Sequence, residues 1–256
     1  MKRSLLILMI LFIVLINDKS FSVTLIKVGG YTFPPYINSH NVNEKQYGLT
    51  FELIKELNNI QKEFKFEFVP ISSSRRYIDY KKNSFDFIFF EDISWGWKDY
   101  DVVASRLIVK DEEVYITKNK DGRDESYFED KKSKKFVGIK GYHYAFANFN
   151  SDVDFLKKTY GAELTSDHEG SIKMILMDRG DIGIVTHSFL DNYLNLHPEV
   201  KDKIIISKKP DQIYNLAIIA RKNVNPNIDL INKYLLELKK KGILKNMFKE
   251  YNLKEL

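Results

Sequence analysis

Hydrophobic residues recur along the chain with two alternating spacings, one typical of strands and the other of helices. In the first third of the chain, three apolar or alternating runs predict the strands Thr24–Gly29, Phe64–Val69 and Phe85–Phe90. An amphipathic helix between the first two is predicted by apolar residues at every third position, which are Phe51, Ile54, Leu57 and Ile60. A shorter helix is predicted at Arg75–Lys82.

A second series of elements surrounds the highly charged segment 118–135, which we interpret as a linker. The predicted strands of this series are Val114–Thr117, Phe136–Ile139, Asp181–Val185, Ile204–Ile206 and Leu216–Ala220. The predicted helices are Phe155–Tyr160, Ile172–Met177, 228–238 and Ile243–Tyr251. Strands that alternate with helices in two series predict an α/β fold of two lobes, each with a largely parallel central sheet.

The first 22 residues have the three-part layout of a secretory signal peptide. A basic start, Met1–Arg3, precedes an apolar run of 13 residues, Ser4–Ile16, and small residues follow at Ser20 and Ser22. A membrane-spanning helix needs about 20 apolar residues, so the run favours a cleaved signal peptide over an uncleaved anchor. We therefore expect cleavage after residue 22 and a mature chain that works in the periplasm.

Composition narrows the classes of function. The chain has no cysteine, which excludes disulfides and a thiol nucleophile. Its formal net charge is +5 with acids and bases interspersed, whereas a nucleic-acid-binding protein usually has a dense basic face. The five histidines show no metal-ligand spacing, and no dinucleotide-binding or serine-hydrolase motif is present. We expect no metal, no cofactor and no nucleic-acid partner.

Ligands of α/β sheets bind beyond the carboxyl ends of the strands, so the segments that follow strands contain the candidate site residues. After the first strand, two prolines fix the backbone between Phe33 and Tyr36, whose rings suit stacking on a flat or apolar solute. After the third strand, the candidate contacts are Glu91, Ser94, Trp95, Trp97 and Lys98. Ordinary core packing remains the alternative for the aromatic residues.

Further polar candidates lie elsewhere in the chain. Arg75 and Arg76 come at the start of a predicted helix, where an arginine can bind a carboxylate through two hydrogen bonds, although a surface role would also explain either one. In the second series, Tyr142 and His143 follow a strand, where free backbone N–H groups favour an anion. Thr186 follows another strand. No residue is assigned a catalytic role.

Six segments, in order along the chain, resemble those of one protein family. They are Val28-Gly29 with Phe33–Tyr36, then Tyr47–Leu53, Asn83–Ile88, Phe136–Gly141, Arg179–Gly183 and Lys240–Met247. This order is similar to that of the bacterial extracellular solute-binding proteins of family 3, the periplasmic receptors of ABC importers for polar amino acids. The resemblance extends over the whole predicted mature chain.

The resemblance implies a type II, Venus-flytrap architecture in which a small polar or aromatic solute binds in a cleft between two lobes. Lobe one would comprise 23–111 and 217–256, and lobe two 112–216, after a signal peptide at 1–22. The hinges would lie near Asp111–Val114 and Tyr214–Leu216. The resemblance also implies a monomer, an ABC-transporter permease as partner, and a role in import or in solute sensing.

Two positions depart from the pattern of the family. Lys98 lies near the place where amino-acid binders have an arginine that binds the carboxylate of the ligand. Thr186 replaces the aspartate that binds its amino group, so the ligand need not be an ordinary amino acid. We hypothesise that Arg75 or Arg76 supplies the anion contact instead. The rings expected to stack on the solute are Phe33, Trp95 and Trp97.

Two other functions stay open at this point. An enzyme on the same scaffold, similar to cyclohexadienyl dehydratases, would use Glu91, Lys98 and His143 as acid and base. An interaction protein with an empty cleft is the second alternative. Because the sequence contains no recognisable catalytic constellation, a non-catalytic binding protein is the leading hypothesis.

Overall fold

The computed structural model of the chain describes residues 23–38, 47–131 and 133–253. The signal peptide predicted at 1–22 lies outside these residues. Across the three described ranges, no helix is both long enough and apolar enough to cross a membrane.

Strands and helices alternate through the described residues. The strands are β1 (Thr24–Gly30), β2 (Phe64–Pro70), β3 (Phe87–Glu91), β4 (Val102–Ala104), β5 (Val109–Lys118), β6 (Phe136–Ile139), β7 (Glu163–Thr165), β8 (Ile182–Thr186), β9 (Ile204–Ile206) and β10 (Gln212–Arg221). The helices are α1 (Leu49–Ile60), α2 (Arg76–Lys81), α3 (Val153–Tyr160), α4 (His168–Leu176), α5 (His187–Leu196), α6 (Ile228–Lys240) and α7 (Ile243–Lys249).

The strands are joined in the order β2-β1-β3-β10-β5-β8-β6-β7, with β4 added beside β10 and β9 beside β5. In the first half of the sheet, β1 pairs in parallel with β2 and β3. In the second half, β6 pairs in parallel with β7 and β8. The predicted pair of largely parallel sheets is therefore present, and antiparallel strands connect them.

Two antiparallel strands, β5 and β10, connect the two halves. Residues 212–216 of β10 pair with β5, and residues 217–221 continue beside β3 and β4. The predicted hinge segments lie in this ladder, where Tyr214 pairs with Asp111 and Leu216 with Val109. The predicted lobe bounds fit this arrangement and remain predictions.

Continuous apolar runs form the central strands because helices cover both faces of a parallel sheet. All five residues of β3 and all five of β8 are buried. Helix α1 packs on β2 and against α6 and α7, and α4 packs on β5, β6 and β8. The hydrophobic effect on these faces holds each half of the molecule together.

The interpretation of segment 118–135 as a linker is wrong. Residues Glu125–Phe128 form a 3₁₀ helix, and the Phe128 ring is buried and stacks 6.2 Å from that of Tyr115. The flanking strands β5 and β6 belong to the same half of the sheet. The other described residues of the segment are exposed or half-buried, and a pattern based on charge alone does not distinguish such a segment from a linker.

Strand β10 offers a matched test of this core. Leu216 is fully buried, whereas Ile213, three residues earlier on the same strand, is 56% exposed. We expect Leu216→Ala to lower the free energy of unfolding by about 2–5 kcal/mol through a cavity. Ile213→Ala should change it by less than about 0.5 kcal/mol. Urea denaturation checks both values, and equal effects would contradict the burial of Leu216.

Candidate functional site

A small enclosed cavity lies where the two halves of the molecule meet. It is lined by Tyr31, Phe33, Arg76, Trp95, Glu113, Tyr142, His143 and Tyr214. Its volume of about 10 Å³ is room for no more than one water molecule. The facing side chains therefore fill the cleft themselves.

Aromatic rings form most of the cavity wall. Phe33 lies at the centre, with the rings of Trp95, Tyr142 and Tyr214 edge-on to it at centroid distances of 5.7, 5.8 and 6.0 Å. Trp95 also meets Tyr214 edge to face at 4.9 Å. Such T-shaped pairs are favourable because the positive edge of one ring meets the negative face of the next.

Arg76 is the main polar contact between the two halves. As the first residue of α2 it points into the protein, whereas the preceding Arg75 points into solvent. Its Nη1 donates to the carbonyl oxygens of Ser73 at 2.8 Å and Gly141 at 3.0 Å. Its Nη2 lies 2.8 Å from His143 Nδ1. A guanidinium only donates, so His143 Nδ1 accepts and its proton lies on Nε2.

Glu91 balances the charge of Arg76 from the end of β3. The Arg76 Nε lies 3.6 Å from Glu91 Oε2, and both side chains are buried. Tyr31 donates to Oε1 at 2.5 Å and the Trp97 indole donates to Oε2 at 2.6 Å. Burial raises the pKa of Glu91, and the Arg76 charge opposes that rise. Two short donors to the two oxygens fit a carboxylate rather than an acid.

A chain of hydrogen bonds leads from Arg76 to the cavity wall. His143 Nε2 lies 3.3 Å from the Tyr77 hydroxyl, which in turn donates to the carbonyl oxygen of Trp95. Burial, and then the Arg76 charge, lowers the pKa of His143 to about 3, so its ring is neutral at physiological pH. The chain orients both His143 and the loop that carries Trp95.

Glu113 is the second carboxyl group at the cavity. Its Oε2 accepts from Gln212 Nε2 at 2.8 Å, and Gln212 Oε1 accepts from the Trp95 indole at 3.0 Å. Among the described residues no donor meets Glu113 Oε1 in hydrogen-bond geometry. Burial, and then the Asp211 carboxyl, raises the pKa of Glu113 to about 8, although the neighbouring Tyr214 and Gln212 oppose the rise.

The structure brings together five of the twelve predicted site residues at the cavity. These are Phe33, Arg76, Trp95, Tyr142 and His143. Glu91 and Trp97 lie behind the cavity wall, where the Trp97 indole donates a hydrogen bond to Glu91. Arg75 and Lys98 are exposed. Whether any of them binds a solute remains a prediction.

Three other predicted residues have internal partners. The Tyr36 hydroxyl donates to Asp111 at 2.9 Å. The N–H and the hydroxyl of Ser94 both donate hydrogen bonds to Asp92 Oδ1. The Thr186 hydroxyl lies 3.1 Å from His168 Nε2. These contacts fix the loops around the cavity without reaching it.

Sequence reasoning missed Tyr31, Glu113 and Tyr214 as cavity residues. The signal for Glu113 was present, because a charged residue next to the apolar run 114–116 marks either a strand end or a buried polar site. No feature of the sequence distinguishes Tyr31 and Tyr214 from the rest of the 15 tyrosines. No group of three or more histidine, aspartate or glutamate residues in the described ranges is placed to hold a metal.

No protein-family model matches the chain, and a search of curated proteins finds no match. Solved structures do match it. A binding component of an ABC transporter from Wolinella succinogenes, complexed with lysine, has a TM-score of 0.70 at 14% identity, over 88% of this chain and 94% of that one. A mutant of ArgBP from T. maritima has a TM-score of 0.69 at 18% identity, over 89% and 94%.

An ancestral amino-acid-binding protein, AncCDT-1, described as a precursor of cyclohexadienyl dehydratase, has a TM-score of 0.66 at 15% identity, over 89% of this chain and 95% of that one. The chain has the type II periplasmic-binding-protein fold. The predicted fold class is thereby confirmed. In a type II periplasmic-binding-protein fold, the cavity described above lies in the cleft between the lobes.

Arg76 and Arg75 form a matched pair for testing the buried ion pair. Arg76→Met would leave Glu91 buried without its counter-charge, so we expect a loss of about 3–5 kcal/mol in the free energy of unfolding. Arg75→Met removes an exposed charge and should cost less than about 0.5 kcal/mol. Guanidinium denaturation of the two variants measures the difference. Similar losses would show that Arg76 is not held by a buried pair.

The pKa of Glu113 predicts a pH dependence of stability. Between about pH 5 and 8, Glu113 keeps a proton in the folded chain that it loses on unfolding. Its contribution to stability is therefore largest at pH 5 and is lost as the pH rises towards 8. The free energy of unfolding should therefore fall less between pH 5 and pH 8 in Glu113→Gln than in the parent chain. The difference between the two falls should be on the order of 1–3 kcal/mol.

Thermal or urea unfolding at both pH values measures this difference. Glu67 in β2, whose half-exposed carboxyl group pairs with Lys65 at 2.6 Å, provides the control, because Glu67→Gln removes a carboxyl group that has no histidine partner and should keep the pH profile of the parent chain. Parallel profiles for all three proteins would contradict a raised pKa at Glu113.

Proposed function

We propose that this protein is a non-catalytic, extracytoplasmic solute-binding protein that captures a small solute between its lobes and delivers it to an ABC-type permease. The observation that carries the proposal is the cavity itself, because its wall combines residues of both halves of the molecule. Phe33, Arg76 and Trp95 come from the first half, and Glu113 and His143 from the second. A solute held there would bridge the lobes, as hinge closure requires.

Direct contacts across the cleft support a closed form that must open to admit a solute. Ser73 Oγ donates to the carbonyl of Lys140 at 2.9 Å, and the Tyr142 hydroxyl donates to the carbonyl of Thr32 at 3.2 Å. A Cβ on Gly141 would lie 2.7 Å from the Ser74 nitrogen, so the backbones approach closely. Ligand sites usually have about 300–1,000 Å³, far more than this closed cavity offers.

The comparisons support a small nitrogen-containing solute and an import role. Two of the structures of this fold are described as a transporter binding component with lysine and as an amino-acid-binding protein. The signal peptide predicted from the sequence adds a periplasmic location. A monomer is sufficient for this function, because each chain has its own complete cleft.

The contacts of the three proposed acid–base residues favour binding over catalysis. In the dehydratase-like alternative, Glu91, Lys98 and His143 would act together. Lys98 is exposed, both Glu91 oxygens already accept hydrogen bonds, and the lowered pKa of His143 makes its ring a poor base. Consumption of the solute would distinguish an enzyme from a binding protein.

A thermal-shift screen against amino acids, oligopeptides, polyamines, carboxylic acids and quaternary ammonium compounds tests the proposal. A true ligand at 100 times its dissociation constant should stabilise the folded chain by about 2.7 kcal/mol. The ligand should persist unchanged on incubation, and Trp95→Ala should weaken its binding by at least tenfold because the ring lines the cavity. Steady consumption of the ligand would favour the enzyme, and no response to any class would contradict solute binding.

A further inference from the structure

One ionisable group at the cavity has no counter-charge. Arg76 and Glu91 balance each other, and His143 is neutral. Glu113 remains, and in the described residues no lysine, arginine or histidine forms an ion pair with it. A buried carboxyl group without a cationic partner is costly unless it is protonated or a cation from outside pairs with it.

The rest of the wall also suits a cation. Rings of Phe33, Trp95, Tyr142 and Tyr214 surround the space beside Glu113, and aromatic faces attract cations through their quadrupoles. A carboxylate on the ligand has no comparable partner. The Arg76 Nη1 and Nη2 atoms already donate to Ser73, Gly141 and His143. Its Nε has no acceptor in hydrogen-bond geometry but faces Glu91 at 3.6 Å, and Lys98 is exposed.

The scarcity of free acceptors distinguishes between kinds of cation. A primary ammonium carries three N–H donors that need acceptors when buried, whereas a quaternary ammonium carries none. No donor meets Glu113 Oε1 in hydrogen-bond geometry, although the Tyr214 hydroxyl neighbours this carboxyl group. Glu113 Oε2 and Gln212 Oε1 already accept hydrogen bonds. A primary ammonium would leave donors unsatisfied here, and a methylated ammonium would not.

On the basis of the proposed function, we propose that the solute is a compact quaternary ammonium cation without a carboxylate, held by the aromatic rings of the cavity and by Glu113. The rings must separate to admit it, which breaks the contact between Trp95 and Gln212. The cation then takes the place of that contact beside the Glu113 carboxylate.

Isothermal titration calorimetry with choline tests this inference on the purified protein. Choline should bind, and its neutral isostere 3,3-dimethyl-1-butanol should bind at least tenfold more weakly, because only the charge differs. Glu113→Gln should weaken choline binding by at least tenfold while keeping the fold, since it preserves the shape of the side chain. Glu112→Gln should bind choline like the parent chain. Equal affinity for choline and the neutral isostere would overturn the inference.

The pH dependence of choline affinity gives an independent readout, because the charge of choline does not titrate. The titratable groups that interact with Glu113 are the carboxyl groups of Asp111 and Asp211 and the hydroxyls of Tyr115, Tyr142, Tyr144 and Tyr214. Tyr31, Arg76 and His143 also line the cavity, and the lowered pKa of His143 keeps its ring neutral over this range. A cation favours ionised Glu113, so affinity should be several-fold higher at pH 8 than at pH 6, and Glu113→Gln should abolish this difference. Equal affinity at both pH values in the parent chain would overturn the role of Glu113.

Two further outcomes separate this inference from the proposed function. If lysine, arginine or another zwitterion binds and choline does not, the quaternary-ammonium inference fails while the solute-binding function stands. If no solute in the screen binds, both fail together.

Discussion

The burial of one guanidinium group sets the geometry of the whole cleft. An arginine with 1% of its surface exposed needs both a counter-charge and acceptors, and Arg76 obtains one carboxylate and three acceptors from the two sides of the cleft. Glu91 lies on its own side, whereas Gly141 and His143 belong to the other half. Opening the cleft would replace the second set of partners with water. The closed form is therefore favoured by polar contacts as well as by the packing of aromatic rings.

Hydrophobic pattern alone predicted most of the fold, because central parallel strands are apolar throughout. The runs in β3 and β8 and the face of α1 were all evident from the sequence. The beginning of β5 was not, since the strand starts at Val109, five residues before the apolar run that predicted it. Asp111 and Glu113 interrupt the pattern there, although their backbones pair with β10. These carboxyl groups are buried against polar partners, Tyr36 and Ser188 for Asp111 and Gln212 for Glu113, so the hydrophobic pattern does not reveal the strand there.

The candidate site was harder to predict because neighbouring residues have opposite environments. Arg75 and Arg76 are adjacent in sequence, and only the helical geometry of α2 directs the second one inward. Trp95 and Trp97 both looked suited to a solute, but the indole of Trp97 donates to Glu91 inside lobe one. Residue type and position after a strand located loops that line the cavity. The choice of side chain within each loop depends on tertiary contacts that a single sequence does not contain.

The empty closed form competes with any ligand. The contacts between Trp95 and Gln212, and between Arg76 and His143, stabilise a cleft with no room for a solute. Apparent affinity is reduced by the fraction of molecules that are closed without ligand, so a solute must offer contacts that compensate for those lost. Solvent can satisfy the freed Gln212 and His143 groups in an open cleft, whereas in the empty closed form burial keeps a proton on Glu113 up to about pH 8. Under the proposed function, a bound cation would replace that proton, and charge would then select the solute more strongly than shape.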